Sequence, residues 1–113
     1  MQFIVGRIVI VGNNHVIKTD KGSFSSVILV IKKRMNGKFR NIAFKCYGKV
    51  ADKVRSFRIN DKLEIEFFIY SQSFKKNEGS GEYENWNTTL QAKAVDLYIG
   101  NKKWNEKQIK IDD

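Results

Sequence analysis

Hydrophobic residues recur at every second position through most of this chain, and a period of two residues is the period of β-strands. The clearest run is KFRNIAFKCYGK, residues 38–49, in which Ile42 and Phe44 alternate with other residues. The outward face of a half-buried strand is ordinarily polar, yet here it carries Phe39 and Tyr47 among lysines. The pattern therefore predicts a strand whose outward face presents aromatic rings together with basic groups.

Turn residues divide the alternating runs into five predicted strands and one short helix. The second and third strands are joined by a tight hairpin at the Asn36–Gly37 pair. Before the fourth strand, Val50, Val54 and Phe57 share one face of the helix. Asn60 follows as the residue expected in the left-handed conformation. The predicted strands are Phe3–Val11 with a continuation at Val16–Lys18, then Phe24–Lys33, Phe39–Tyr47, Lys62–Phe74 and Trp86–Ile99.

Three strands, a helix and a long-looped hairpin follow one another in the order of a five-stranded Greek-key OB barrel, an all-β fold. With 113 residues the chain is long enough for one hydrophobic core but not for two. We therefore expect one OB domain over residues 1–100 and a short polar tail over residues 101–113. Barrels of this kind bind oligonucleotides or oligosaccharides across one face and its loops.

The fourth predicted strand repeats the unusual outward face of the third. Its outward row begins acidic and becomes aromatic toward the hairpin tip. Rings stack on the bases of a single strand while lysines hold its phosphates, so this row is typical of a single-strand binding surface. Within the row, Phe68 is expected to be structural, beneath the helix or in a subunit contact. The outward set is Glu64, Glu66, Phe68, Tyr70, Gln72, Phe74 and Lys76, and the inward set is Leu63, Ile65, Phe67 and Ile69.

The net charge of +9 favours a polyanionic partner such as nucleic acid. The alternative is that the chain is rich in lysine and asparagine for reasons unrelated to function. The positions of the charges therefore have to show whether the partner is nucleic acid.

No apolar run approaches the roughly 20 residues of a membrane span, and the apolar N-terminus lacks the basic lead-in of a signal peptide. A single cysteine excludes an internal disulfide. We therefore expect a cytoplasmic protein, in a bacterial cell or a phage-infected host, that needs no cofactor and binds no membrane.

Strand alternation and the basic runs beside the predicted loops give two groups of candidate nucleic-acid contacts. The candidates for base stacking are Tyr47, Phe74, Trp86, Phe39 and Tyr70. The candidates for phosphate binding are Lys32, Lys33, Arg34, Lys45, Lys49, Lys75, Lys76 and Lys93.

Catalytic or metal-binding chemistry finds little support in the sequence. His15 is the only histidine and has no serine or cysteine nucleophile near it, and Cys46 alternates inward with the core residues. Glu64 and Glu66 share a strand face but lack the third ligand that a divalent metal site needs. We therefore predict no enzyme activity, no catalytic residue and no metal site.

Four segments carry a family resemblance: IVIVGN, SSVILVIKK, IAFKCYGKVADKV and FRINDKLEIEFFIYSQSF. They occur in the same order in the bacterial and phage single-stranded DNA-binding proteins, which the chain resembles over residues 3–99. The resemblance implies an OB fold, single-stranded DNA as partner, and association into dimers or tetramers. It also implies stacking by the aromatic before Gly-Lys and by the aromatic that ends the fourth strand, which are Tyr47 and Phe74 here. Trp86 lies near a further aromatic of that family.

The chain departs from the family pattern at several places. Asn60 stands where the family has glycine, and the tryptophans common on the second and third strands are absent. The chain ends in KIDD, with two acids and no hydrophobic end, whereas the bacterial housekeeping proteins end in an acidic, hydrophobic tip that recruits partners. The expectation is therefore a compact phage- or plasmid-type form without docking through such a tip.

The sequence thus predicts a sequence-tolerant, non-catalytic protein that binds single-stranded DNA and protects exposed strands in replication or recombination. Three alternatives stay open: an RNA-binding OB module, a replisome or primosome adaptor whose aromatics contact protein, and a metal-dependent nuclease using Glu64 and Glu66.

The predicted first strand has no cleanly polar face, so we expect a homodimer or homotetramer through this strand.

Overall fold

Six strands and one helix make up the computed structural model of the protein, which describes residues 2–78 and 81–99. The predicted first strand is two strands separated by residues 12–14, and the predicted tail lies outside the described residues. The helix ends at Val54, so Phe57 belongs to the turn that follows it. No helix in the described ranges is long and apolar enough to cross a membrane. The elements are β1 (Gln2–Val11), β2 (His15–Thr19), β3 (Gly22–Met35), β4 (Lys38–Tyr47), α1 (Gly48–Val54), β5 (Lys62–Glu78) and β6 (Gly81–Leu97).

The strands close into a barrel in the order β1–β3–β4–β6–β5–β1, and β2 extends the barrel as an outer strand beside β3. Strand β1 closes the ring because its first half pairs with β5 and its second half with β3. A bulge between Ile8 and Ile10 interrupts the β1–β3 register and bends β1 as it leaves β5. On the other side, β4 meets β6 in parallel at Lys45 and Gln91. This is the strand order of an OB barrel, so the predicted fold class is confirmed.

The core lies inside the barrel and takes side chains from β1, β3, β4, β5, β6 and α1. Phe44 and Cys46 are fully buried, as their alternation predicted, and burial raises the pKa of the Cys46 thiol to about 12. Helix α1 packs against β3, β4 and β6, with two of its side chains in the core. The buried apolar residues are Ile8, Val27, Leu29, Ile31, Phe44, Cys46, Ala51, Val54, Leu63, Ile65, Ala92 and Val95.

Two predicted left-handed turns fix how the strands are joined. Asn36 and Gly37 have φ angles of 52° and 79°, as a tight two-residue hairpin turn requires. This turn sets the β3–β4 register, in which Ser26 lies opposite Tyr47. Asn60 has a φ angle of 73° and ends the connection from α1 to β5, as predicted.

Strands β5 and β6 form a hairpin that runs past the end of the barrel. Strand β4 pairs with β6 at Gln91, which lies opposite Phe68, whereas the β5–β6 pairing continues ten residues further along β5. The predicted loop over residues 75–85 is therefore largely strand. The prediction that Ile69 points into the core is wrong: its side chain is 50% exposed because the hairpin projects beyond the barrel from this position.

Candidate nucleic-acid interface

Four aromatic rings from three strands meet on the outside of the barrel, and we call this group the aromatic cluster. Phe24 of β3 packs edge-on against Tyr47 of β4, with 5.9 Å between ring centroids and 81° between ring planes. Phe68 and Tyr70 of β5 lie 5.9 Å apart and are tilted by 31°. The two pairs adjoin at Tyr47 and Tyr70, whose phenols lie close enough for Tyr70 to raise the pKa of Tyr47. The cluster is therefore one continuous aromatic surface.

Tyr47 holds the central place in the aromatic cluster. It is the last residue of β4 and points outward because its neighbour Cys46 points into the core. Partial burial raises the pKa of the Tyr47 phenol, and the adjacent Tyr70 phenol raises it further. Both effects keep the phenol neutral, and the edge-on contact with Phe24 holds the ring in place. Phe24 and Phe68 expose 37% and 43% of their surface. A base can therefore stack on exposed rings that packed neighbours already hold in position.

Phe68 was expected to be structural, beneath the helix or in a subunit contact. Within this chain it does not lie beneath the helix, since it is exposed on the barrel exterior beside Tyr70. Phe24 was not predicted as a contact at all. The signal for it was present, because the Asn36–Gly37 turn fixes a register in which Phe24 lies diagonally next to Tyr47 on the outward face.

The β5–β6 hairpin separates two of the predicted stacking residues. Directly paired residues of an antiparallel ladder point to the same face, and the pairs alternate between faces. Phe74 pairs with Asn85 and shares its face with Tyr70, whereas Trp86 pairs with Ser73 and lies on the opposite face. Phe74 thus extends the aromatic cluster about 13 Å along β5, four residues beyond Tyr70. Trp86, 65% exposed, does not join it.

Phe39 lies at the far end of the outward face of the β3–β4 hairpin, which we call the outer ribbon face. It pairs with Arg34 and is 68% exposed. The Lys32 ammonium lies 5.6 Å and the Arg34 guanidinium 5.9 Å from the ring centroid, within the range of cation–π attraction. Eight residues of β3 separate this pair from the Ser26–Tyr47 pair, about 26 Å along the strand. The outer ribbon face therefore has an aromatic site at each end.

The predicted phosphate-binding residues are distributed over several surfaces. Lys32, Arg34 and Lys45 lie on the outer ribbon face, since each pairs with an outward residue of the opposite strand. Lys49 is exposed on α1, next to Tyr47. These four side chains flank the aromatic sites, and phosphate binding by them stays a prediction.

The other predicted phosphate-binding residues lie elsewhere or have protein partners. The Lys33 ammonium donates a hydrogen bond to the Val5 carbonyl at 3.3 Å. The Lys93 ammonium lies 3.6 Å from the Glu66 carboxylate and forms an ion pair with it. Glu66 is one of the two glutamates considered above as metal ligands. Lys75 lies on the hairpin face opposite Phe74, and the side chain of Lys76 is outside the described residues.

A small depression connects the outer ribbon face to the β5–β6 hairpin. It has a volume of about 170 Å³ and lies where β6 turns away from β4. Ile28, Ala43 and Lys45 line it from the ribbon, and Thr88 to Leu90 line it from the hairpin. The outer ribbon face and the hairpin therefore form one cleft with a lysine at its edge.

No protein-family model matches the chain, and no curated protein matches it. Among solved structures it is similar to the mitochondrial single-stranded DNA-binding protein Rim1 from S. cerevisiae. That match has 16% identity and a TM-score of 0.57, and it covers 85% of this chain and 91% of Rim1. The chain is also similar to the single-stranded DNA-binding protein from Thermus aquaticus, with 13% identity and a TM-score of 0.52, over 87% of this chain and 49% of that one. At these identities the matches show a shared fold, which is the fold that the sequence resemblance implied.

Proposed function

We propose that this protein binds single-stranded DNA with little sequence preference and without catalysis. The observation that carries the proposal is the aromatic cluster of Phe24, Tyr47, Tyr70 and Phe68 on the outside of a closed OB barrel. Stacking on exposed rings is tolerant of sequence because every base has a flat face. The two solved proteins described above, Rim1 and the protein from Thermus aquaticus, are both named as single-stranded DNA-binding proteins.

The bound strand follows the outer ribbon face in this proposal. One base stacks on Phe39, and the strand then passes Lys32 and Lys45 to reach the aromatic cluster. From there the exposed ring of Phe74 extends the path along the hairpin. Anisotropy titration with labelled oligo-dT tests the proposal directly, and absence of binding at low salt would refute it. Competition by a matched RNA oligomer distinguishes DNA binding from the alternative of an RNA-binding module, because only RNA offers 2′-hydroxyl contacts.

The proposed role is to coat and protect strands that are exposed during replication or recombination, in the cytoplasm of a bacterial cell or of a phage-infected host. A sequence-tolerant surface suits this role, since exposed strands have no common sequence. Slower digestion of a long single strand by an added nuclease, at saturating protein, is the expected result. Digestion at the same rate with and without the protein would argue against a protective role.

Affinity for oligo-dT should fall steeply as salt rises. If Lys32, Arg34, Lys45 and Lys49 each neutralise one phosphate, the logarithm of affinity should change by about −2.8 per unit of log salt, or −0.7 per contact. Lys45→Ala should lower the slope by about 0.7 without changing the preference among bases. Arg55→Ala removes the same charge from the turn after α1, where Arg55 faces Asp52, and should leave the slope unchanged. A flat salt plot for the unmodified protein would contradict the electrostatic part of the proposal.

We further propose that copies of the protein associate through β1. Residues 2–4 at the start of this strand pair with β5 and not with β3, and Phe3 and Ile10 expose 57% and 52% of their surface. A half-paired strand with exposed apolar side chains favours association. Light scattering at tens of micromolar protein should give a multiple of the monomer mass, and Phe3→Asp should reduce it. Val16→Asp on β2 is an equally exposed control and should leave the measured mass unchanged. A monomeric mass for the unmodified protein would refute association.

A further inference from the structure

A second basic surface lies at the end of the β3–β4 hairpin, on the side that faces β1. It is an open groove of about 410 Å³ between β1, this hairpin, the first residue of β5 and Tyr98, just after β6. Phe39 forms part of its lining, so the groove begins where the outer ribbon face ends. Its basic lining residues are Arg7, Lys32, Lys33, Arg34 and Lys62, and none of the lining residues is acidic.

Among the residues that the structure describes, no acidic side chain forms an ion pair with any of the five cations of the groove. The ion pairs of Lys53, Arg55 and Lys93 lie elsewhere on the surface. Arg7 donates to the Asn60 carbonyl at 3.0 Å, which orients its guanidinium but leaves its charge in place. Like charges held this close repel one another, so the groove is suited to an anion that carries several charges.

Two aromatic residues, Phe39 and Tyr98, line the groove. The Lys62 ammonium lies 4.9 Å from the centroid of the Tyr98 ring, as Lys32 lies beside Phe39. The Tyr98 backbone N–H donates a hydrogen bond to the Lys62 carbonyl at 2.8 Å, and this bond holds the Tyr98 backbone beside the start of β5. An aromatic ring beside a cation is suited to binding a nucleotide, because the base stacks on the ring while the cation neutralises the phosphate. Inorganic polyphosphate would use the cations but would gain nothing from the rings.

We propose that this groove is a second binding site for the same single strand, which turns around the end of the β3–β4 hairpin after Phe39 and enters it. Tyr98 stacks a base, and Arg7 and Lys62 hold phosphates. The proposal rests on the proposed function and lengthens the strand path beyond the outer ribbon face. Tyr98, Lys62 and Arg7 were not among the contacts predicted from the sequence, because only the fold brings the ends of β5 and β6 beside β1 and the hairpin.

The length of the oligonucleotide separates the groove from the outer ribbon face. We would measure the affinity of Tyr98→Ala for oligo-dT of about 6 and about 16 nucleotides, both within the range of site sizes for one OB fold. We expect binding of the longer strand to weaken by about 5- to 140-fold, as for the loss of one stacked base, and binding of the shorter strand to be unchanged. Tyr98→Phe keeps the ring and should bind both strands as the unmodified protein does.

Lys62→Ala provides a second readout that does not depend on the tyrosine. With the longer strand its salt slope should be smaller by about 0.7, and with the shorter strand the slope should not change. Arg55→Ala, the charge-matched control, should leave both slopes unchanged. Unchanged affinity of Tyr98→Ala for the longer strand, or an equal loss at both lengths, would overturn the proposal. The proposed function would survive that result if Tyr47→Ala still weakens both strands, and both proposals fall if the unmodified protein binds neither.

Discussion

Oligo-dT should bind the Tyr47→Ala and Phe74→Ala variants more weakly than the unmodified protein by roughly 1–3 kcal/mol each. Tyr47 is the ring through which the two halves of the aromatic cluster meet, and Phe74 continues that surface along the hairpin. Removing either ring deletes a platform for a base and leaves the neighbouring cations in place. The salt slope should therefore stay nearly constant while the affinity falls, which anisotropy titration at several salt concentrations measures.

Two matched variants test whether stacking is the cause. Tyr47→Phe keeps the ring and loses only the hydroxyl that meets Tyr70, so it should bind nearly as well as the unmodified protein. Trp86→Ala removes a larger and more exposed ring from the opposite face of the hairpin, and its effect should be smaller than that of Phe74→Ala. If Trp86→Ala has the larger effect, the strand follows the other face of the hairpin and the proposed path is wrong.

The stability of these variants needs to be measured alongside their binding. Tyr47 is partly buried and packed against Phe24, so Tyr47→Ala should lower the free energy of unfolding to some extent. Phe74 is 42% exposed on a projecting hairpin and should cost little stability when truncated. Weak binding by a Phe74→Ala variant with an unchanged unfolding curve would locate the effect at the interface. A variant that melts early and binds normally would instead assign the ring to the core.

Phe44→Ala should lower the free energy of unfolding by about 3–5 kcal/mol. Its ring is fully buried and packs edge-on against Phe67, with 5.3 Å between centroids. Truncation leaves a cavity in the middle of the barrel, where β4 and β5 face each other across the core. Since a small domain is stable by only about 5–15 kcal/mol, this one change removes a large fraction of its stability. Urea unfolding followed by circular dichroism measures the difference.

Phe39→Ala is a matched control, because it removes the same side chain from the same strand. The ring of Phe39 is 68% exposed, so its loss should change the free energy of unfolding by no more than about 0.5 kcal/mol. The same variant should weaken binding of oligo-dT, since Phe39 is a proposed stacking residue. Similar unfolding curves for the Phe39 and Phe44 variants would contradict the assignment of inward and outward faces on β4.

Most of the barrel and one side of the candidate interface follow from local features of the sequence. Alternation assigns Phe44 and Cys46 to the core and Phe39 and Tyr47 to the outside, because successive side chains of a strand point to opposite faces. The Asn36–Gly37 turn then fixes which residues of β3 lie opposite those of β4. These two features are enough to place Lys32 and Lys45 beside the aromatic residues. The order of strands and helix was enough to predict the OB barrel.

The β5–β6 hairpin and the groove could not be derived in the same way. The sequence between residues 77 and 81 allows several turn positions, and a shift of register by one residue moves a side chain to the other face of the ribbon. For this reason Trp86 was grouped with Phe74, although the pairing places them on opposite faces. Ile69 fits an inward pattern but lies where the hairpin has already left the barrel.

Residues that are far apart in the sequence come close together only because the strands close into a barrel. Tyr47 and Tyr70 lie on strands that are not neighbours in the ring, and Arg7, Lys62 and Tyr98 come from β1, β5 and the residue after β6. Strand alternation gives the direction of each of these side chains, but not which other strand it will face. The pairing of β5 with both β1 and β6 brings Arg7, Lys62 and Tyr98 together, and the pairing of β6 with both β4 and β5 brings Tyr47 near Tyr70.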